Sequence, residues 1–273
     1  MIGFLHWPNV GKVIAITNQK GGVGKTTTSI NLGASLAMLG KRVLLVDFDP
    51  QGNSTTGLNI EKSAEMMTVY SALTDPASLH QAIRRTDCEG FDVLPADKNL
   101  VAANIDLVDV TDREFVLRGV LEPVRAEYDY LLIDCPPALD LLTINALVAA
   151  DSVLIPIQCE FFALEGISQL LDTVEKIKTG FDHPLEIEGI LLTMYDERMN
   201  LTKTVAEDLR DFFGDQVFKS VIPRSIRLAE APSHGKPITL YDPRSRGAES
   251  YNKLAQEILS NEQRKRQVTQ SVG

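Results

Sequence analysis

Lys20-Gly21-Gly22-Val23-Gly24-Lys25-Thr26-Thr27 is the stretch on which the fold of this chain turns. Its glycines leave backbone N–H groups open to the close approach of an anion, and the apolar spacing from Thr26 to Leu39, closed by Gly40, predicts a helix directly behind them. The N-terminus of such a helix favours negative charge. Lys25 adds an ammonium and Thr26 a hydroxyl of the kind that ligates Mg²⁺, so a triphosphate fits the loop. Upstream, Val13-Ile14-Ala15-Ile16-Thr17 reads as a buried strand. A glycine turn that merely links strand to helix is the bland alternative, and the order strand, loop, helix weighs against it.

Outward from this unit the pattern repeats. Val43-Leu44-Leu45-Val46 is a short buried strand that breaks off at Asp47-Phe48-Asp49-Pro50, and Tyr130-Leu131-Leu132-Ile133 is another that ends in Asp134. Further strands are predicted over 152–157, 187–193 and 217–222, with helices over 141–150, 167–179 and 201–213. Residues 61–126 read as mainly helical, with a weak strand over Phe91 to Leu94 and a capping-box-like Thr111-Asp112-Arg113-Glu114 opening a helix. This alternation predicts an α/β fold: a doubly wound, mostly parallel sheet with helices on both faces, of the P-loop NTPase kind. Ligands in that architecture sit at the carboxyl ends of the strands. The expected organisation is an N-terminal extension over 1–11, one domain over 12–262, and a polar tail over 263–273 that frays beyond a last helix at Ala248 to Leu259.

Composition narrows the function classes. With 273 residues and 44% hydrophobic content the chain can bury one sizeable core. It contains no run of about eighteen apolar residues and no signal-like start, which predicts a soluble cytoplasmic protein. Cys88, Cys135 and Cys159 form no CxxC pair, which argues against a metal centre or a disulfide framework. The net charge of -10 opposes a uniformly basic surface. The charge is uneven, however: Lys and Arg number 14 against 28 Asp and Glu in residues 1–197, and 13 against 9 in residues 198–273. A local basic patch in the last quarter is the expectation.

The loop departs from the ordinary G-x-x-x-x-G-K-[ST] pattern, because Gln19 stands at the first glycine position and a second lysine, Lys20, follows it. KGGVGKTT, VDFDPQGN at 46–53 and YLLID at 130–134 followed by Cys135-Pro136-Pro137 together resemble the deviant Walker A ATPases of the ParA/MinD class. Four later segments resemble the chromosomal ParA (Soj-like) branch: Gly189 to Asp196, Val221 to Arg224, Arg227 to Ile238 and Tyr241 to Ala248. The resemblance runs from about residue 12 to about residue 260.

It implies an ATPase, slow without its partner, with ATP and Mg²⁺ as cofactors. Lys20, Lys25 and Asp49 would be catalytic, with Lys20 crossing to the nucleotide of a partner subunit and Asp49 orienting the attacking water. Lys20, Gly21, Gly22, Val23, Gly24, Lys25, Thr26, Thr27, Asp47 and Asp134 would hold the nucleotide, Asp47 also bracing its loop. Thr26 and, through water, Asp134 would hold the metal. Pro223 and Arg224 would border the adenine, with Thr193 and Met194 near the base. The implied partners are a second copy of the chain in an ATP sandwich dimer, non-specific double-stranded DNA, and a ParB-type centromere-binding protein, with a nucleoid-associated location and no membrane. Arg198 and Arg227, with Lys203, Arg224 and Arg246 as neighbours, match the DNA-contacting positions, for which ordinary solvated or ion-paired arginines are the bland alternative. Rival readings are a MinD-like membrane ATPase, which needs an apolar C-terminal helix face, an iron–sulfur reductase, which needs paired cysteines, and a nucleotide-gated module without useful turnover.

Overall fold

A computed structural model of the protein describes residues 10–272, so residues 1–9 of the expected N-terminal extension lie outside the described residues. The short apolar runs form strands β1 (Lys12–Ile16), β2 (Val43–Asp47), β3 (Arg84–Arg85), β4 (Phe91–Leu94), β5 (Tyr130–Asp134), β6 (Ser152–Gln158) and β7 (Glu186–Thr193). They make one sheet in the order β3-β4-β2-β5-β1-β6-β7. Every pairing is parallel except that of β3 with β4. The sheet is the expected one, with helices on both faces.

Successive side chains of a strand point to opposite faces, and the core divides accordingly. Val13 and Ala15 join Leu44, Val46, Leu131 and Ile133 on one face, where the Val116–Leu121, Leu141–Ala149, Ala163–Gly180 and Asn200–Phe213 helices pack. Ile14 and Ile16 join Val43, Leu45 and Leu132 on the other, under α1 (Lys25–Met38) and the last helix, Arg246–Val272. That last helix presents Ala248, Tyr251, Leu254, Ala255 and Ile258 at helical spacing, all essentially inaccessible to solvent. Burying each large side chain of this kind contributes about 1.5–3 kcal/mol. Because β1, β2 and β5 are parallel neighbours, their carboxyl ends meet at one edge, and Asp47 lies directly beside Asp134 in register.

Three local expectations give way to tertiary contacts. Residues 217–222 form no strand. Val217 and Pro223 make isolated bridges to Ile190 and Tyr195, and between them the chain detours because the Lys219 and Ser220 N–H groups donate to the Glu257 carboxylate at 2.7 and 2.9 Å. The tail is not frayed: the helix runs on to Val272, its polar residues carrying no glycine or proline to stop it. It is anchored by Glu262, which accepts from Tyr130 and pairs with Lys12 at 2.9 Å, and by the Lys265–Glu186 pair. Nor does Thr111 open a capping box, since the Glu114 carboxylate is taken by Arg113 at 3.1 Å and Asp112 turns left-handed before a 3-10 turn over Arg113–Phe115. Residues 61–126 are a set of short helices and turns around the β3–β4 hairpin, with the expected strand over Phe91–Leu94 present as β4.

Candidate nucleotide site

The chain leaves β1 at Ile16 and returns as α1 at Lys25, and the crest of the loop between them, Lys20, Gly21 and Gly22, is exposed. Gly22 and Gly24 have φ of 75° and 90°, the left-handed region that side-chain-bearing residues avoid. Open space lies above Gly21 and Gly22. Gly24 caps α1, no side chain bonds the first turn, and that turn holds no acidic residue. Its orphan N–H groups and its dipole are therefore free for an anion.

Beneath the crest the loop is tied to its neighbours. Asn18 donates to the Pro156 carbonyl at 2.9 Å and accepts from the Lys20 N–H at 2.9 Å. Val23 is buried, and its carbonyl accepts from the Thr193 hydroxyl at 2.8 Å. Thr193, expected near the base, thus supports the phosphate loop itself, and Met194 after it is left-handed at φ 49°.

Lys25 is buried, with its Nζ donating to the carbonyls of Asn18 and Lys20 at 2.9 and 3.1 Å. Burial pulls its pKa down, opposed by the negative charges of Asp134, Cys135 and Asp49 when ionised. The ammonium therefore lies inside the loop with only neutral acceptors bonded to it, where a polyphosphate would satisfy it better. Thr26 and Thr27, in the first turn of α1, are half-buried.

Asp134 is fully buried and receives Ser29 Oγ on one oxygen at 3.1 Å and Ser54 Oγ on the other at 2.8 Å. Burial raises its pKa, opposed by hydrogen bonds from Ser54, Thr26 and Ser29. Asp47 beside it accepts from the Thr55 N–H at 2.7 Å and hydroxyl at 2.6 Å, and burial, then the Asp134 charge, push its pKa up. A cation between this pair would favour both charged forms. Among the described residues no three His, Cys, Asp or Glu side chains cluster as a protein-only metal cage. The donors near Thr26 and Asp134 fit a Mg²⁺ that keeps waters and phosphate oxygens as ligands. Asp49 is 8% exposed and its Oδ1 accepts the Gln51 N–H at 2.9 Å.

Lys20 stands apart from Lys25. Its ammonium lies on the surface and pairs with Glu160, just beyond the end of β6. Pro223 and Arg224 border the carboxyl end of β7, the Arg224 N–H donating to the Tyr195 carbonyl at 3.2 Å. The candidate DNA-contacting residues are exposed, and Arg198, Arg227 and Arg246 are ion-paired. Arg198 forks onto Asp196 at 2.9 and 2.7 Å, Arg227 meets Glu230 at 3.0 Å and Asp242 at 3.5 Å, and Arg246 lies 4.0 Å from Glu197. Lys203 is exposed on the Asn200–Phe213 helix. Exposed pairs of this kind are weak and yield to a stronger polyanion.

The structure thus brings together Lys20, Gly21, Gly22, Val23, Gly24, Lys25, Thr26, Thr27, Asp47, Asp49 and Asp134. Sequence reasoning missed Asn18, Ser29, Ser54, Thr55 and Glu160. The nearness in sequence of Asn18 and Ser29 to the phosphate loop, and of Ser54 and Thr55 to Asp49, is a signal that could have found those four.

A strand-loop-helix phosphate cradle with two buried carboxylates at neighbouring strand ends defines a P-loop nucleotide-binding protein. A family model described as an AAA domain matches residues 11–187. The chain is 59% identical over 252 residues to the sporulation initiation inhibitor protein Soj of Bacillus subtilis, covering 92% of this chain and 100% of that protein. It is 52% identical over 256 residues to the chromosome partitioning protein ParA of Myxococcus xanthus, covering 94% and 90%. Among solved structures it is similar to cobyrinic acid a,c-diamide synthase from Mycobacterium smegmatis with bound ATP analogue and magnesium, with a TM-score of 0.80, 36% identity, and 92% and 95% of the two chains covered. The chain belongs to the ParA/MinD-type ATPases of the AAA domain family, on their chromosomal ParA (Soj-like) side.

Proposed function

We propose that this chain is a DNA-partitioning ATPase whose ATP-bound form is a sandwich dimer, which binds DNA without sequence preference and is released by hydrolysis. The observation that carries the reading is the division of labour between the two lysines. Lys25 is buried within its own loop, while Lys20 reaches the protein surface from the loop crest. A second copy facing that crest would receive Lys20 at its own nucleotide, and the dimer would last until the terminal phosphate leaves. Hydrolysis then acts as a clock on the assembled state.

In this reading the loop N–H groups and Lys25 hold the phosphates. Bound Mg²⁺, held by Thr26 and through water by Asp134, supplies charge neutralisation and orientation. Asp49 orients the attacking water, Asp47 braces the Asp49 loop through Thr55, and Lys20 offsets charge developing on the partner's terminal phosphate. Pro223 and Arg224 border the adenine. Arg198, Arg227, Lys203 and Arg246 contact DNA phosphates, and dimerisation doubles those contacts on one body. The apolar face of the last helix is used against α1, which favours a DNA partner over a lipid surface.

ATP turnover measured with double-stranded DNA alone, with a ParB-type centromere-binding protein alone, and with both tests the reading. Strong joint stimulation is the expected result. Stimulation by anionic liposomes instead, or none by DNA and partner together, would contradict it.

A further inference from the structure

Among the described residues the bonds of Asp49 run to its near neighbours in sequence: its Oδ1 accepts the Gln51 N–H at 2.9 Å, its carbonyl accepts the Gly52 N–H at 2.8 Å, and its own N–H donates to Asp47 Oδ1 at 3.4 Å. The direction of its carboxylate is therefore inherited from the backbone of Asp49 to Gly52. Two side chains flank that backbone, Lys62 bonding it directly and Thr55 tying the chain just after it. Thr55 is fully buried, gives its hydroxyl proton to Asp47 at 2.6 Å, and accepts the Ala96 N–H on the same oxygen at 2.9 Å. With donor and acceptor both used, the hydroxyl has one orientation, and it ties the chain three residues beyond the turn to the end of β2 and to Ala96, just past β4. From the solvent side Lys62 places its ammonium on the carbonyls of Gly52 at 2.9 Å and Gln51 at 3.4 Å.

Gly52 shows that turn and lysine are built together. Its φ is 61°, and a Cβ there would come within 2.5 Å of Lys62 Nζ and 2.6 Å of the Ala96 carbonyl. Only a residue without a side chain lets the lysine and the β4 end close on the turn.

We infer that Lys62 and Thr55 are positioning residues for Asp49, clamping the Asp49–Gly52 turn from opposite sides so that the carboxylate faces the attacking water. The inference rests on the hydrolysis reading above. Lys62 lies outside the phosphate cradle, so its loss acts on turnover and spares nucleotide affinity; Thr55 also carries Asp47, so the affinity criterion is read on Lys62. Misplacing a reacting group by about 1 Å costs on the order of a hundredfold in rate, so partial release of the turn by Lys62→Gln is expected to cost about three- to tenfold.

The test measures single-turnover hydrolysis and fluorescent-nucleotide affinity on the full chain for wild type, Lys62→Gln, Lys62→Arg, Thr55→Val and Thr55→Ser. Expected are a lower hydrolysis rate in Lys62→Gln and Thr55→Val, affinity within about twofold of wild type in Lys62→Gln, and recovery of most of the rate in Lys62→Arg and Thr55→Ser, which keep the donors. Should Thr55→Val fail to fold, the exposed Lys62 carries the test. Wild-type rates in Lys62→Gln, or rate and affinity falling together, would overturn the proposal while leaving the hydrolysis reading intact. A wild-type chain that hydrolyses nothing would overturn both.

Discussion

Removing the Ser54 hydroxyl probes the carboxylate on which the site is centred. Ser54 and Asp134 are both fully buried, and the 2.8 Å bond between them is one of the two hydroxyl bonds whose lengths define the seat of Asp134. Ser54→Ala leaves one carboxylate oxygen short of a donor in a place water does not reach. A hydrogen bond to a charged group contributes about 1.5–3 kcal/mol, and the loss also lifts a contribution that holds the Asp134 pKa down. For a domain of this size that corresponds to a fall of about 3–5 °C in melting temperature. Urea unfolding of the nucleotide-free protein at pH 8, where Asp134 is largely ionised, reads the loss directly. The same substitution in an Asp134→Asn background costs only about 1 kcal/mol, because the acceptor is then neutral. A loss under about 0.5 kcal/mol, or an equal loss in both backgrounds, would show that Ser54 does not support the charge on Asp134.

Other expectations follow from single features. Lys25→Ala removes the buried ammonium and weakens ATP binding about 10- to 100-fold, measured by titration calorimetry; binding within twofold of wild type would exclude Lys25 from the phosphate site. Arg198→Ala and Arg227→Ala each lower DNA cosedimentation of the ATP-bound protein and reduce the slope of log affinity against log salt by about 1.8 per dimer, since two phosphate contacts vanish; unchanged binding removes the residue from the DNA surface. His183 donates from Nε2 to the Ala150 carbonyl at 2.7 Å, and burial holds its pKa below the ordinary 6.5. The unfolded chain therefore takes up a proton that the folded chain resists, so stability is lost as pH falls below about 6.5 toward the folded pKa. In His183→Gln the fall between about pH 6.5 and pH 5 is shallower in urea midpoints, and identical slopes would contradict this.

The strands that build the site were legible because a parallel strand buried on both faces is an unbroken apolar run, as β1, β2, β5 and β6 are. Glycine spacing, the following helix and carboxylates at strand ends likewise carried the phosphate loop and its acidic neighbours. The two-residue β3 offers no periodicity to read. The 217–222 segment has strand-like composition, and nothing local reports that Glu257, 38 residues away from Lys219, captures its amides. Lys62 and Glu160 were illegible for a related reason. They are common polar residues whose roles come from where the fold delivers them, Glu160 being 140 positions from its lysine. The polar tail shows the limit in the other direction, since its anchors Tyr130, Lys12 and Glu186 lie on three different strands.

The most direct test of the lysine division is molar mass by light scattering with a non-hydrolysable ATP analogue and magnesium, with ADP, and without nucleotide, on wild type and Lys20→Gln. The account predicts that only wild type with the analogue doubles from the 30.1 kDa chain, while Lys20→Gln binds the analogue and stays single. Equal masses in all three wild-type samples, or a Lys20→Gln protein that pairs as wild type does, would contradict it.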